Sequence, residues 1–205
     1  MNVLIACEES GTVRDAFIRR GHNAISCDIL ETSSPGPHVV GDVKHLLKMK
    51  WDLIIAHPPC TYLCNSGVCW LYKKIPSGTG WPNPVKFTKE RNEERWEQMR
   101  EGAEFFNLFM QADCERIAIE NPIMHKYAVE IIGRRQDQVI QPWQFGHGET
   151  KATCLWLKGL LKLKPSNIVE GREQRLHLLP PSKDRAKIRS KTFQGIADAM
   201  ADQWG

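Results

Sequence analysis

Two short stretches of the chain carry side chains able to do covalent chemistry. In AHPPCTYLCNSG, residues 56–67, Pro58 and Pro59 fix two backbone dihedrals and stiffen the lead-in to Cys60. A thiol held in a set place, as thiolate, can attack an electrophilic carbon. In RIAIENP, residues 116–122, Glu120 ends an apolar run and precedes Asn121-Pro122. A carboxyl beside an apolar strand end can hold a raised pKa and donate a proton. A thiol nucleophile with a proton donor is what an unactivated pyrimidine ring needs. Sulfur adds at carbon 6, protonation at ring nitrogen 3 relieves the charge, and carbon 5 becomes nucleophilic. A metal reading competes locally, since His57, Cys60, Cys64 and Cys69 are all possible zinc ligands. Structural zinc prefers paired short spacings, and no second pair is present.

These side chains need elements to position them. Residues 2–6 (NVLIA), 23–29 (NAISCDI), 39–42 (VVGD), 52–56 (DLIIA) and 116–122 read as short buried strands or strand ends. Between the first two, Val13, Ala16, Phe17 and Arg20 share a helical face, with a cap-capable Ser10 or Thr12 before them and Gly21 at the stop position. Residues 65–87 read as a long loop holding Trp70, Tyr72 and Trp81 among Lys73, Lys74 and Lys86. The spacing of Trp96, Met99, Ala103, Phe106 and Met110 predicts a helix over 88–112. Residues 138–143 and 152–157 read as two strands joined by the turn GHGET, and TFQGIADAMADQW as a loop entering a terminal helix. Strands alternating with helices predict an α/β domain with a mostly parallel sheet, and the late pair predicts one antiparallel strand near its edge. Ligands bind such sheets beyond the carboxyl ends of the strands. Glu8, Ser10, Asp28, Asp42, Cys60 and Glu120 all fall there. Helix N-terminal amides after Ser10-Gly11 could receive an anion. Asp28 suits ribose hydroxyls and Asp42 an adenine amino group, unless these acids simply cap turns.

The totals fit one ordinary domain: 205 residues, 41% hydrophobic and 25% charged. No apolar run approaches the ~20 residues of a membrane span. Reading MNVLIACEESG as a first strand rather than a leader predicts a cytoplasmic chain. Seven cysteines without a framework spacing predict free thiols. Between Lys158 and Lys191, ten Lys/Arg stand against three Asp/Glu, a net +7; the chain total of +4 leaves −3 for the rest. A basic lobe on a slightly acidic body suits an anionic polymer partner or a solvated surface tail.

In the order of its elements nearly the whole chain resembles a compact DNA cytosine carbon-5 methyltransferase. Pro58-Pro59-Cys60 matches the family's PPC nucleophile segment after the fourth strand, and Glu120-Asn121-Pro122 its ENV-type segment after the fifth. GHGETKATCLWL sits where a QxRxR-type strand follows, and FQGIADAM is similar to the GN-type motif that opens the last helix. The resemblance implies a Rossmann-like methyltransferase fold and S-adenosylmethionine as methyl donor. It implies Cys60 as nucleophile, Glu120 as proton donor and Lys151 as the cation beside them. It places the donor against Ala6, Cys7, Glu8, Ser10 and Gly11, against Asp28, Ile29 and Asp42, and against Pro58, Gln194 and Ile196. It implies a DNA partner met by Thr61, Ser66, Lys73, Lys74, Arg172, Arg175 and Arg185, with Lys183 and Arg189 as further phosphate contacts, and salt-sensitive binding. The cytosine would be flipped out of a duplex or taken from a single strand. Trp70, Tyr72 and Trp81 would close over it or pin their own loop. The resemblance divides the chain into a catalytic core at 1–157, a reduced target-recognition segment at 158–191 and a terminal helix at 192–205. A monomer, a short or relaxed target and a phage or mobile-element origin would suit so small a segment.

The sequence departs from the family pattern in several places. Thr61 stands where Gln usually follows the cysteine, CEES replaces the Gly-rich first motif, Ile196 takes the place of the GN asparagine, and Lys151 is the nearby cation where the family has arginines. Three other readings stay open: a non-catalytic DNA-binding relative, a modifier of free pyrimidine nucleotides, and an amino-group methyltransferase. The last class places an aromatic residue after its prolines, where this chain has Cys60.

Overall fold

The computed structural model describes residues 1–75 and 86–205. The chain opens with β1 (Asn2–Ala6), α1 (Thr12–Arg19), β2 (Asn23–Asp28), β3 (His38–Val40) and β4 (Leu53–Ala56). A small hairpin of β5 (Tyr72–Lys74) and β6 (Phe87–Arg91) precedes α2 (Glu93–Met110), β7 (Ile117–Pro122) and α3 (Lys126–Ile132). Then come β8 (Gln138–Ile140), β9 (Thr153–Lys158), the short helices α4 (Arg175–Leu178) and α5 (Arg185–Ser190), and the terminal α6 (Gln194–Trp204). The main sheet has seven strands in the order β3-β2-β1-β4-β7-β9-β8. All pairs from β3 to β7 are parallel; β9 runs antiparallel to both neighbours, one place in from the edge. The α/β architecture with one antiparallel strand near the edge is as expected.

Each central strand is apolar on both faces because helices cover both. Leu4 and Ala6 join the layer of Trp96, Met99, Ala103, Phe106 and Trp156 under α2 and α3. Val3 and Ile5, of opposite parity, join Val13, Phe17, Met200 and Trp204 under α1 and α6. Continuous apolar strands of this kind are what a doubly covered parallel sheet requires. All seven cysteines are unpaired. No helix among the described residues is long and apolar enough to cross a membrane.

Four local readings change. The helix expected over 88–112 starts at Glu93, because Asn92 caps it by accepting from the Arg95 amide; residues 87–91 pair instead with Tyr72–Lys74. The strand expected over 138–143 stops at Ile140, and Pro142 opens a single helical turn. Neither Ser10 nor Thr12 caps α1. That position is Gly11, at φ 70°, and a Cβ there would run into the buried Arg14 guanidinium. Glu8 does the capping, accepting from the Val13 and Arg14 amides at 2.7 and 3.2 Å. The long loop expected over 65–87 holds a helical turn at Asn65–Leu71 and the strand β5.

Arg14 is fully buried and fastens the segment after β2, which walls one end of the cavity described below. Its Nε donates to Asp15, Nη1 to Ser26 and Thr32, and Nη2 to the carbonyls of Ser34 and Pro35. Removing the guanidinium leaves the buried Ser26 hydroxyl and the partly exposed acceptors of α1 and the segment after β2 without their donor. Arg14→Ala should therefore lower stability by about 3–5 kcal/mol in urea unfolding. Arg14→Lys should recover only part of the loss, because a point charge cannot serve a planar fork.

Candidate active site

The parallel pair β4–β7 brings the two reactive stretches to one edge of the sheet. Three further connections stitch their loops together. Asn121 Nδ2 donates to the Pro58 carbonyl at 2.8 Å, the Asn65 amide to Ile123 O at 2.8 Å, and the His125 amide to Leu63 O at 3.0 Å. The proline turn is thus anchored to the segment that carries Glu120. Beyond it opens a cavity of about 860 Å3, lined by Cys60, Cys64, Glu120, Asn121 and Lys151 at one end and Cys7, Glu9, Ser10 and Asp28 at the other. Cys60 and Glu120 thus line one cavity.

Glu120 carries a partner the sequence reading assigned only to a zinc alternative. His57 Nδ1 lies 3.1 Å from Glu120 Oε2, and both side chains are 11% exposed. Burial pushes the Glu120 carboxyl up, but the His57 hydrogen bond and the charge of Lys151 outweigh it and hold the group below its ordinary value. The raised pKa expected from an apolar strand end is therefore corrected: the apolar surroundings are present, and two cation-capable neighbours override them. Glu120 in turn pushes the Cys154 thiol on β9 up to about 11, after burial. Two buried polar atoms in this part of the site have no hydrogen-bond partner among the described residues, His57 Nε2 and Asn121 Oδ1.

Cys60 has a companion thiol. Its carbonyl accepts from the Cys64 amide at 3.0 Å, one turn on, and Cys64 Sγ lies 3.2 Å from Ser66 Oγ. Hydrogen bonding to Cys64, then burial and the Glu120 charge, push the Cys60 thiol up. Cys64 is held below the ordinary thiol range, chiefly by Cys60 with help from Ser66 and the Gly67 amide. Cys60 is thus held as a thiol, and Cys64 is the more acidic sulfur of the two. Among the described residues no three His, Cys, Asp or Glu side chains converge as metal ligands do.

The other end of the cavity differs in detail from expectation. The α1 amides proposed to receive an anion are occupied by Glu8, so they are closed to a ligand's carboxylate. Cys7 sits at φ 57°, an uncommon value for a residue with a side chain, where the chain turns sharply off β1. Asp28 reaches the cavity while its Oδ1 accepts from the Leu30 amide. Pro58 and Ser66 also line it. Ala6, Gly11, Ile29, Asp42, Thr61, Gln194 and Ile196 do not. Ala6 and Ile196 are core residues, Ile29 is 77% exposed, and Gln194 bonds Asp198. Asp42 caps the turn after β3 through the Lys44 amide. Gly195 fits where no side chain would: its amide donates to His147 Nε2, and a Cβ would strike the Phe145 carbonyl.

The basic segment lies across the cavity mouth, where His177, Arg189 and Lys191 join the lining. Much of its charge is spent internally. Arg175 pairs with the buried Glu149 and with Glu173, Arg172 stacks on Trp143 at 3.9 Å, and Arg185 donates to the Leu179 and His177 carbonyls. Lys187 Nζ is 3.4 Å from Glu9 Oε2. These arginines build the wall, which charge counting alone missed. Lys183, Arg189 and Lys191 form no ion pair among the described residues. In the aromatic loop, Tyr72 bonds Tyr127 at 2.7 Å and Trp70 packs edge-on against Phe87, so both pin their own region. Lys73 pairs with Glu90, Lys74 is exposed, and Trp81 lies outside the described residues.

No family model matches the chain, and no curated protein matches its sequence. Solved structures do match its fold. A prophage-encoded protein described as a DNA modification methyltransferase (E. coli) superposes with a TM-score of 0.50 at 15% identity, over 88% of this chain and 55% of that one. Entamoeba histolytica methyltransferase EhMeth gives 0.46 at 14% identity, over 89% and 60%. A mutant of Spodoptera frugiperda DNMT2 gives 0.37 at 13%, over 88% and 55%. The chain spans little more than half the length of these structures. The α/β fold built around this cavity, a mostly parallel seven-stranded sheet with a small antiparallel hairpin, is the fold of the prophage-encoded DNA modification methyltransferase.

Proposed function

We propose that the chain transfers a methyl group from S-adenosylmethionine to carbon 5 of cytosine in DNA. The observation that carries this reading is that Cys60 and Glu120, from adjacent parallel strands, line one cavity. The described residues fit the methyl donor at the far end of that cavity. Glu9 and Asp28 give the end an acidic lining suited to a ligand bearing a positive charge, and Asp28 suits ribose hydroxyls. When bound, the donor supplies an electrophilic methyl group. Ser10 and Asp28 would hold and orient it; Asp42 lies outside the lining.

At the other end the Cys60 thiol gives its proton to solvent as its sulfur bonds to ring carbon 6. Glu120 takes up a proton from solvent and delivers it at ring nitrogen 3, so the displaced electron pair makes carbon 5 nucleophilic. After transfer, solvent takes the carbon 5 proton, the Cys60 sulfur leaves with its bonding pair, and the nitrogen 3 proton returns through Glu120 to solvent, which restores the aromatic ring. Lys151, whose Nζ lies 3.4 Å from the Lys191 carbonyl, provides the positive field beside Glu120. Arg189 and Lys191, in the cavity lining, and Lys183, outside it, are the cations that meet phosphates. Residues 158–191 thus act as a short recognition wall, and DNA binding weakens as salt rises.

The test is methyl transfer from tritium-labelled S-adenosylmethionine to cytosine-containing DNA, with the product base identified. Label in 5-methylcytosine is the expected result. Label on the exocyclic amino group, or binding of DNA without transfer, would sink the reading.

A further inference from the structure

Residues 175–191 cross the cavity mouth as a strap fastened at both ends. Arg175 pairs with the buried Glu149 at one end, and the Lys191 carbonyl accepts from Lys151 Nζ at 3.4 Å at the other. Between these anchors neither α4 nor α5 buries a residue. Among the described residues the strap meets the acidic end of the cavity through one polar contact, Lys187 Nζ to Glu9 Oε2 at 3.4 Å. Ala186 and Arg189, close to that lysine on α5, line the cavity. The two partners are held unequally. The Glu9 carbonyl accepts from the Ser33 amide at 2.9 Å and the Thr32 hydroxyl at 3.0 Å, so its turn is fixed. The Glu9 side chain is 15% exposed and that of Lys187 57%. Glu9 Oε2 is buried and has no hydrogen-bond partner among the described residues. Lys187 therefore answers the charge of that oxygen and leaves its hydrogen-bonding capacity unused.

We propose that Lys187 is a latch between the two ligands: it stands at Glu9 in place of the methyl donor's positive charge, and donor binding releases it to a DNA phosphate. The inference rests on the methyltransferase reading above and deepens it by coupling donor to DNA. Glu9 is fixed, lines the acidic end and faces one protein cation, which sits on an exposed helix. A bound donor brings a second positive charge to the same carboxylate, and Glu9 exchanges one cation for the other. The exchange is easy in this direction, because an ion pair with a half-exposed lysine is among the weak ones. Once free, Lys187 lies two positions from Arg189 on the same helix and adds one cation to the set that meets phosphates. Each phosphate neutralised releases counterions, so the gain is read as a steeper salt dependence. The coupling is reciprocal: DNA that draws Lys187 away from Glu9 tightens donor binding by the same factor.

The experiment measures binding of a cytosine-containing DNA duplex across a potassium chloride series, with and without saturating sinefungin. This unreactive analogue carries an amine where the donor has its sulfonium methyl. In the wild-type chain sinefungin should steepen the slope of log affinity against log salt by about 0.9, the value for one added phosphate contact. Lys187→Met keeps the stem and loses the charge, so its slope should stay at the shallow value with or without the analogue. Glu9→Gln frees the lysine from the start, so its slope should be steep before any analogue is added. In calorimetry without DNA, Lys187→Met should bind sinefungin about two- to fivefold more tightly, the range for an exposed ion pair. Lys183→Met, outside the lining, is the control for charge alone and should bind it as the wild type does. A wild-type protein that binds both ligands with one unmoved slope overturns the latch and leaves the methyltransferase reading intact. Equal gains in sinefungin affinity from Lys183→Met and Lys187→Met overturn it as well, because general charge then suffices. A wild-type protein that binds no sinefungin overturns the latch and the methyltransferase reading together.

Discussion

Cys60→Ala should abolish methyl transfer and covalent trapping on DNA containing 5-fluorocytosine, while binding of S-adenosylmethionine should stay close to wild type. The expected loss is about 10⁴-fold or more, because removing a nucleophile leaves only what binding and orientation supply. Cofactor binding survives because the acidic end of the cavity, at Glu9 and Asp28, is built by the turns after β1 and β2. Cys64 is the control that makes the result specific. It lines the same cavity and is the more acidic thiol, so a general reagent such as iodoacetamide should label it first at neutral pH. The labelling should weaken only as pH falls well below the ordinary thiol range. Cys64→Ser should retain trapping, because nucleophilic position belongs to Cys60 at the rigid proline turn. If Cys64→Ser loses the adduct and Cys60→Ala keeps it, the two thiols have exchanged roles and the PPC assignment fails.

How far these roles were legible in the sequence follows from what each signal measures. The apolar strands and the α2 stripe were readable because burial on both faces of a parallel sheet writes itself into the chain directly. Cys60 and Glu120 were readable because both fall at strand ends, and strand ends share an edge. His57 was present in the same quoted stretch, yet its meaning depends on an atom that arrives from a strand sixty-three positions away. The protonation states failed for the same reason. An apolar neighbourhood is visible locally, whereas the His57, Lys151 and Cys64 contacts that decide the sign are tertiary. Glu8 was read as facing a ligand; it lines the cavity, and its carboxylate also caps α1. A carboxylate that can reach its own helix amides satisfies them more cheaply than a visiting anion can. The Asn92 cap, by contrast, was available in the string Asn-Glu-Glu and would have ended the α2 prediction correctly. The arginines of 158–191 were counted as a surface field. Three of them close ring contacts, ion pairs and carbonyls within their own wall, which charge summation cannot see.

Glu120→Gln should reduce methyl transfer by about 10²- to 10⁴-fold, the range for a positioned acid, with little change in donor affinity. The amide keeps the shape of the side chain but cannot relay a proton to ring nitrogen 3. It also removes the negative charge that helps push the Cys60 and Cys154 thiols up, so both should titrate closer to the ordinary thiol value in the variant. The same substitution has a signature in stability. Because the folded-state value of Glu120 lies below its ordinary value of 4.5, its ionisation favours the fold above that pH. The contribution is lost as pH falls through the depressed folded value. Wild-type stability should therefore decline between pH 5 and the acid limit more steeply than that of Glu120→Gln, whose amide has no proton to gain. Parallel acid limbs in the two proteins would mean that the His57 and Lys151 contacts do not stabilise the carboxylate.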